Sequence, residues 1–208
     1  MEQQIHTPLT LKRWIWLTIA GWFIGVLLVI GIGILGGIIF KGNKDLGGQA
    51  IIGIGMGIGV GLMQWILLRK YLPGALNWLW FSIIGFTFAY VVFDVAGSLI
   101  NVKFDVGMVL PLVTMIGALI SGWLQYAFVL KKNVANSKGW ILNNAIAWLL
   151  AHVLTMGMFF IKIPTQQGVL LALIVAIAFI FLLTGGPLLG FITGKFMVSK
   201  INNLQNKD

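Results

Sequence analysis

The chain has 208 residues, 59% hydrophobic and only 9% charged, with a mean hydropathy of +0.99. Soluble domains carry roughly 25% charged residues, so this composition cannot cover a water-facing surface and points to lipid as the solvent. The net charge of +9 does not argue for nucleic acid, because the basic residues stand between apolar runs, and with no cysteine and only His6 and His152 the chain offers no disulfide, thiolate or metal-ligand set.

The first apolar run, Trp14–Phe40, is far longer than the roughly 7–15-residue core of a cleaved signal. No A-x-A site follows it, so it reads as a first membrane helix. Ala50–Leu68, Leu76–Ile100, Val106–Leu130, Trp140–Ile163 and Val169–Val198 follow, each near or above the roughly 20 residues that cross a hydrocarbon core. The connecting segments are short and hold nearly all the charge, which leaves one membrane domain over residues 1–208. The expected fold class is an all-α membrane protein of six transmembrane helices, arranged as three tandem hairpins that are parallel two-helix repeats.

Lys12, Arg13, Arg69, Lys70, Lys131, Lys132, Lys138, Lys195, Lys200 and Lys207 fall on one side, and Lys41, Lys44, Lys103 and Lys162 on the other. The imbalance predicts cytoplasmic N- and C-termini, with Asp45, Asp94 and Asp105 toward the outside.

The repeat units span approximately residues 12–72, 76–133 and 138–200. The odd helices align without gaps: Trp14, Thr18, Gly21, Trp22, Gly25; then Trp78, Ser82, Gly85, Phe86, Ala89; then Trp140, Asn144, Ala147, Trp148, Ala151. From the polar position the offsets are i, i+3, i+4 and i+7, one helical face. The leading Trp falls at the boundary, where an indole is expected to keep its N–H wet. The even helices give Gly57, Gly61, Gln64; Ala118, Gly122, Gln125; and Gly186, Gly190, Thr193. Small residues four apart form a close-packing face in membranes.

Depth along the helices pairs Thr18 with Gln64, Ser82 with Gln125 and Asn144 with Thr193, predicting a layer of six polar side chains. Such a layer serves either as interhelical hydrogen-bonding glue or as the lining of a pathway. Three features break the repeat. Asp94 forms a polar stripe with Ser98 and Asn101 and is either a functional acid or an interfacial partner of Lys41 or Lys103. His152 is expected near mid-membrane, as a proton-relay or ligand group or as a packed, hydrogen-bonded ring. Pro187, in Thr184-Gly185-Gly186-Pro187, is expected to kink the last helix, either for packing or to expose carbonyls. The run Gly53, Gly55, Gly57, Gly59, Gly61 lacks the strand–turn–helix context and the Lys of a nucleotide site.

Three function classes follow. A small transporter, channel or ligand-binding membrane subunit would use the axis of the hairpins. A scaffold or accessory subunit would use the small-residue faces. An intramembrane serine hydrolase would pair Ser121 with His152. The three-hairpin topology is similar to that of mitochondrial carriers, but no proline here opens their P-x-[DE]-x-x-[KR] motif. The size, basicity and helix count are similar to those of vitamin-binding subunits of energy-coupling transporters, whose substrate residues are not found here. The chain resembles rhomboid proteases in size, yet their G-x-S-G motif reads Leu119-Ile120-Ser121-Gly122 and the histidine stands on helix 5.

Gly61-Leu62-Met63-Gln64-Trp65-Ile66-Leu67-Leu68 and Gly190-Phe191-Ile192-Thr193-Gly194 resemble the G-x-x-Q-W-x-x-L and G-x-x-T-G motifs of functionally uncharacterised small multi-pass bacterial membrane proteins. That resemblance implies a bacterial inner membrane and supplies no activity. The expectation is therefore a non-enzymatic membrane protein without cofactor. Its expected partners are the lipid bilayer, an unassigned small molecule or ion, and a membrane-protein partner or second copy.

Overall fold

The computed structural model describes residues 8–39, 48–100, 106–157 and 169–205. Its elements are α1 (Leu11–Ile39), α2 (Ala50–Leu68), α3 (Leu76–Ile100), α4 (Val106–Gln125), α5 (Trp140–Met156) and α6 (Val169–Gln205). Past Gln125, α4 continues through a π-helical turn, Tyr126–Leu130, and a last turn, Lys131–Asn133. No strand occurs among the described residues. Five helices are long and apolar enough to cross a membrane, which is compatible with an integral membrane protein. α5 has 17 residues and is shorter, and the predicted span to Ile163 runs on into residues outside those described. Lys41, Lys44, Asp45, Asn101, Lys103, Asp105, Lys162, Lys207 and His6 also lie outside the described residues.

Helix boundaries differ from the apolar runs where capping intervenes. α1 starts before Trp14, because the Thr10 hydroxyl accepts the Arg13 N–H (3.3 Å) and the Thr10 carbonyl accepts the Trp14 N–H (3.1 Å). α6 passes Val198 and reaches Gln205, an element of 37 residues. Between α2 and α3, Gly74 takes φ +70°, a left-handed conformation that only glycine adopts freely.

Each helix packs against its neighbour in the chain, and α6 packs back on α1, so six antiparallel helices close into a ring. Glycine makes the close approaches possible. On α2, a methyl group at Gly55 would lie 3.0 Å from the Gly25 carbonyl of α1. One at Gly57 would lie 2.9 Å from the Ile83 Cα of α3. Alternating glycines thus let α2 be approached from both sides. The aligned positions of the even helices all face the next odd helix around the ring. Gly61 meets Ser82, Gly122 meets Ile141 and Asn144, and Gly190 meets Ile15 and Thr18. The ring closes at its ends through Asn202, whose amide accepts the Leu9 N–H (3.1 Å) and donates to the Leu9 carbonyl (3.0 Å).

The outer surface is apolar all round, with Trp80, Phe88, Ile116, Leu150 and Phe179 exposed. A water-soluble helical bundle would place such side chains inside. The interior instead carries buried Thr18, Gln64, Ser82, Ser121, Gln125, Asn144, His152 and Thr193 among three apolar layers. One layer holds Trp14, Trp78 and Trp140, at what we term the tryptophan end. A middle layer holds Trp22, Met56, Phe86 and Trp148. The third, with Tyr90, Leu110 and Met156, lies toward the end that carries Asp94.

Candidate functional site

The polar groups of the sequence repeat are tied to its leading tryptophans. Trp14, Trp78 and Trp140 are only 1%, 0% and 0% exposed, so the expected wet boundary indoles are in fact buried. Their N–H groups are satisfied inside the ring. Trp78 donates to Gln64 Oε1 (3.0 Å), Trp140 to Gln125 Oε1 (2.8 Å) and Trp14 to Thr193 Oγ1 (3.0 Å). In each case the acceptor ends the small-residue face of the preceding even helix. A buried indole N–H left unpaired is destabilising.

Only one of the three predicted hairpin pairs is a direct hydrogen bond. Gln125 Nε2 donates to Ser82 Oγ (2.9 Å), which itself donates to the Trp78 carbonyl (2.9 Å). Asn144 donates to the Ala118 carbonyl of α4 (2.9 Å) rather than to Thr193. Thr193 donates to the Leu189 carbonyl (2.6 Å). Thr18 Oγ1 is buried without a hydrogen-bond partner and packs over Gly190. Gln64, Ser82, Gln125 and Asn144 line one chamber together with Ser121, whose hydroxyl is buried without a partner. Thr18 and Thr193 do not line it. The chamber measures about 10 Å³, near the lower limit for one water molecule.

Beyond that chamber the ring axis is crossed by aromatic rings. Phe86 and Trp148 have centroids 4.4 Å apart, and Trp22 and Trp148 5.7 Å apart. Trp22, Phe86 and Trp148 occupy one register of the odd-helix alignment, four residues after the polar position. The sequence signal for their convergence was present, but periodicity alone did not show that this face points at the axis.

On the far side of the aromatic layer is a cavity of about 350 Å³, within the range of small-molecule sites. Its walls are Val26, Val29, Ile52, Met56 and Leu110, and its polar groups are His152 and Thr155. His152 is buried between Trp22 (centroids 5.4 Å) and Trp148 (5.6 Å). Its Nδ1 lies 3.3 Å from the Trp148 carbonyl. A carbonyl only accepts, so in this contact Nδ1 carries the proton, and in the neutral ring Nε2 is then an acceptor. The Thr155 hydroxyl donates to the Ala151 carbonyl (2.8 Å), which leaves its oxygen lone pairs for a second donor. At the position of Tyr90, which aligns with His152, the phenol is instead bonded to Thr114, and Thr114 returns its proton to the Leu110 carbonyl (2.9 Å).

The other repeat-breaking residues have structural partners. One Asp94 carboxylate oxygen accepts the N–H groups of Gln49 (3.2 Å) and Ala50 (3.0 Å). Gln49 is the N-cap of α2 and makes no cap bond with its own side chain, so α3 supplies the missing acceptor and a favourable charge. Ser98 donates to the Asp94 carbonyl (2.9 Å). α6 runs through Pro187 as one helix, and Thr184 donates to the Phe181 carbonyl (2.7 Å). The Trp22 ring lies over Gly185 and Gly186, and its N–H donates to the Leu182 carbonyl (2.9 Å). The Gly-Gly-Pro stretch is therefore the seat of an aromatic ring that also borders the cavity.

Ser121 and His152 line different cavities, with Trp148 bordering the first and packed on His152. No set of three or more His, Cys, Asp or Glu side chains gathers as a metal site among the described residues. No family model, no curated protein and no solved structure matches the chain.

Proposed function

We propose that this is a non-enzymatic integral membrane protein that binds a largely apolar small molecule in the cavity bordered by Trp22, His152 and Thr155. The observation that carries the reading is a 350 Å³ cavity whose apolar walls converge on one buried imidazole and one buried hydroxyl. That combination suits a ligand that is hydrocarbon over most of its surface and carries one hydrogen-bonding group. The protein is read as three parallel two-helix repeats in a bacterial inner membrane, with the tryptophan end in the cytoplasm. The equivalent Trp–Gln, Trp–Gln and Trp–Thr bonds support the repeats, and the cluster of basic residues at that end supports the orientation. Conduction along the axis is not part of the proposal, because the rings of Trp22, Phe86 and Trp148 cross it and the chamber beyond has room for about one water.

Photolabelling in lipid with a small diazirine-bearing hydrocarbon tests the proposal. Label should concentrate on cavity residues such as Met56 and Thr155, and Val26→Trp should block it while the fold is retained. Labelling of Phe88 and Leu150 on the outer surface to the same extent as the cavity would sink the reading.

A further inference from the structure

A second site lies at the tryptophan end, on the outside of the ring between α1 and α2. There the chain forms an open cleft of about 620 Å³ bordered by Lys12, Arg13, Trp16, Ile66 and Lys70. Its chemistry is divided. Two cations from α1, Lys12 and Arg13, and one from the turn after α2, Lys70, border it, and an indole that is 62% exposed, with Leu17 and Ile66, forms its apolar wall.

No acidic side chain among the described residues compensates the charge in this cleft. Asp94, toward the opposite end, is the only acidic side chain among the described residues. Lys12 and Arg13 also occupy the first turn of α1, where the helix dipole is positive and basic residues are disfavoured. Three other basic side chains near this boundary differ. Arg69, Lys195 and Lys200 lie across the rings of Trp65, Phe191 and Phe196, at 5.3, 4.5 and 5.7 Å from the centroids. An anion placed between Lys12, Arg13 and Lys70 would meet both the side-chain charges and the α1 dipole. An acyl chain leaving that anion would run along Trp16 and Ile66 onto the apolar face of the ring.

We infer that this cleft is a binding site for an anionic phospholipid, with the headgroup phosphate held by Lys12, Arg13 and Lys70 and the acyl chain on Trp16 and Ile66. The inference rests on the protein being embedded in a bilayer and is independent of what binds in the cavity beside His152. Each basic side chain near an anionic lipid surface strengthens binding roughly fivefold, so three together give on the order of 100-fold.

Native mass spectrometry of the full chain, released from bilayers of phosphatidylcholine with and without phosphatidylglycerol, reads this out directly. The expected result is retained phosphatidylglycerol on the wild type and loss of that adduct in the triple variant Lys12→Gln, Arg13→Gln, Lys70→Gln. A control triple variant, Lys131→Gln, Lys132→Gln, Lys138→Gln, removes the same charge at another exposed place and should keep the adduct. All six side chains are exposed, so both variants should unfold at the wild-type temperature in phosphatidylcholine alone. Equal weakening in both variants would reduce the effect to overall charge and overturn the site. So would displacement of the lipid by inorganic phosphate, or an absence of preference for phosphatidylglycerol over phosphatidylcholine.

Discussion

Replacing Gln125 with leucine isolates what the buried indole N–H groups depend on. Gln125 is 2% exposed and makes two bonds: it accepts from Trp140 (2.8 Å) and donates to Ser82 (2.9 Å). Leucine has a similar volume and fills the same space, so little cavity is created. The Trp140 N–H is then buried without an acceptor, which costs roughly 1–3 kcal/mol, and the lost bond to Ser82 adds about 0.6 kcal/mol, the average for an interhelical bond in a membrane. Ser82 keeps its bond to the Trp78 carbonyl. The expected loss is therefore about 2–3 kcal/mol, or about 4–12 °C in the unfolding midpoint of a chain this size. Circular dichroism during reversible unfolding in detergent would measure it. In the background of Trp140→Phe no N–H remains to be stranded, so the same Gln125→Leu change should be milder by at least about 1 kcal/mol. Additive effects in that double-mutant cycle, or a single-variant loss below about 0.5 kcal/mol, would refute the claim that Gln125 stabilises the ring by satisfying the Trp140 N–H.

Gly85→Ala should be severe, because the new methyl would lie 2.5 Å from the Ser121 backbone nitrogen and 2.6 Å from its Cα; overpacking of this kind costs roughly 1–3 kcal/mol or more, readable in the same unfolding assay. Gly31→Ala, with no atom near the added methyl, should be at least as stable as the wild type, by up to about 1 kcal/mol, and serves as the control. Asp94→Ala should lower stability by about 1 kcal/mol, the usual value of a lost cap, and Asp94→Asn should recover part of it because its amide oxygen still accepts. Local hydrogen exchange at the start of α2 should rise with Asp94→Ala and stay unchanged at α5. Asn202→Ala removes both bonds to Leu9 and should loosen that contact, seen as faster exchange at the Leu9 amide with little change in the rings of the middle layer.

What was legible in the sequence follows from which physical signals are local. The helices could be read because each apolar run persists for many residues, and their described ends shifted where Thr10 caps α1, where α4 continues past Leu130 to Asn133 and where the polar end of α6 continues past Val198. The small-residue faces could be read from spacing, but their partners could not. That Gly61, Gly122 and Gly190 each face the next odd helix depends on ring closure, which no local pattern encodes. The polar layer was visible as recurring Gln, Ser, Asn and Thr, yet pairing by depth found only Ser82 with Gln125. Depth fixes height along a helix and says nothing about rotation around it, so the acceptors of Trp14, Trp78 and Trp140 stayed hidden. An aromatic at a helix end reads as interfacial for the same reason. Asp94 stood out in the sequence as an exception to the repeat, but its use as a cap for α2 required the third dimension. The π-helical turn over Tyr126–Leu130 had no sequence signal in composition or period.

The clasp between Asn202 and Leu9 has a consequence for connectivity. It holds the first and last described helices side by side, so the bonds between Trp14 and Thr193 join parts of the chain 179 positions apart in the same way that those between Trp78 and Gln64 join parts 14 apart. The ring's interfaces therefore do not depend on where the chain is cut. A permuted chain, joined across the Asn202–Leu9 end and opened in the polar turn around Asn136, would present its helices in the order α5, α6, α1, α2, α3, α4. Trp14, Trp78 and Trp140 would each still find an acceptor on the helix beside it.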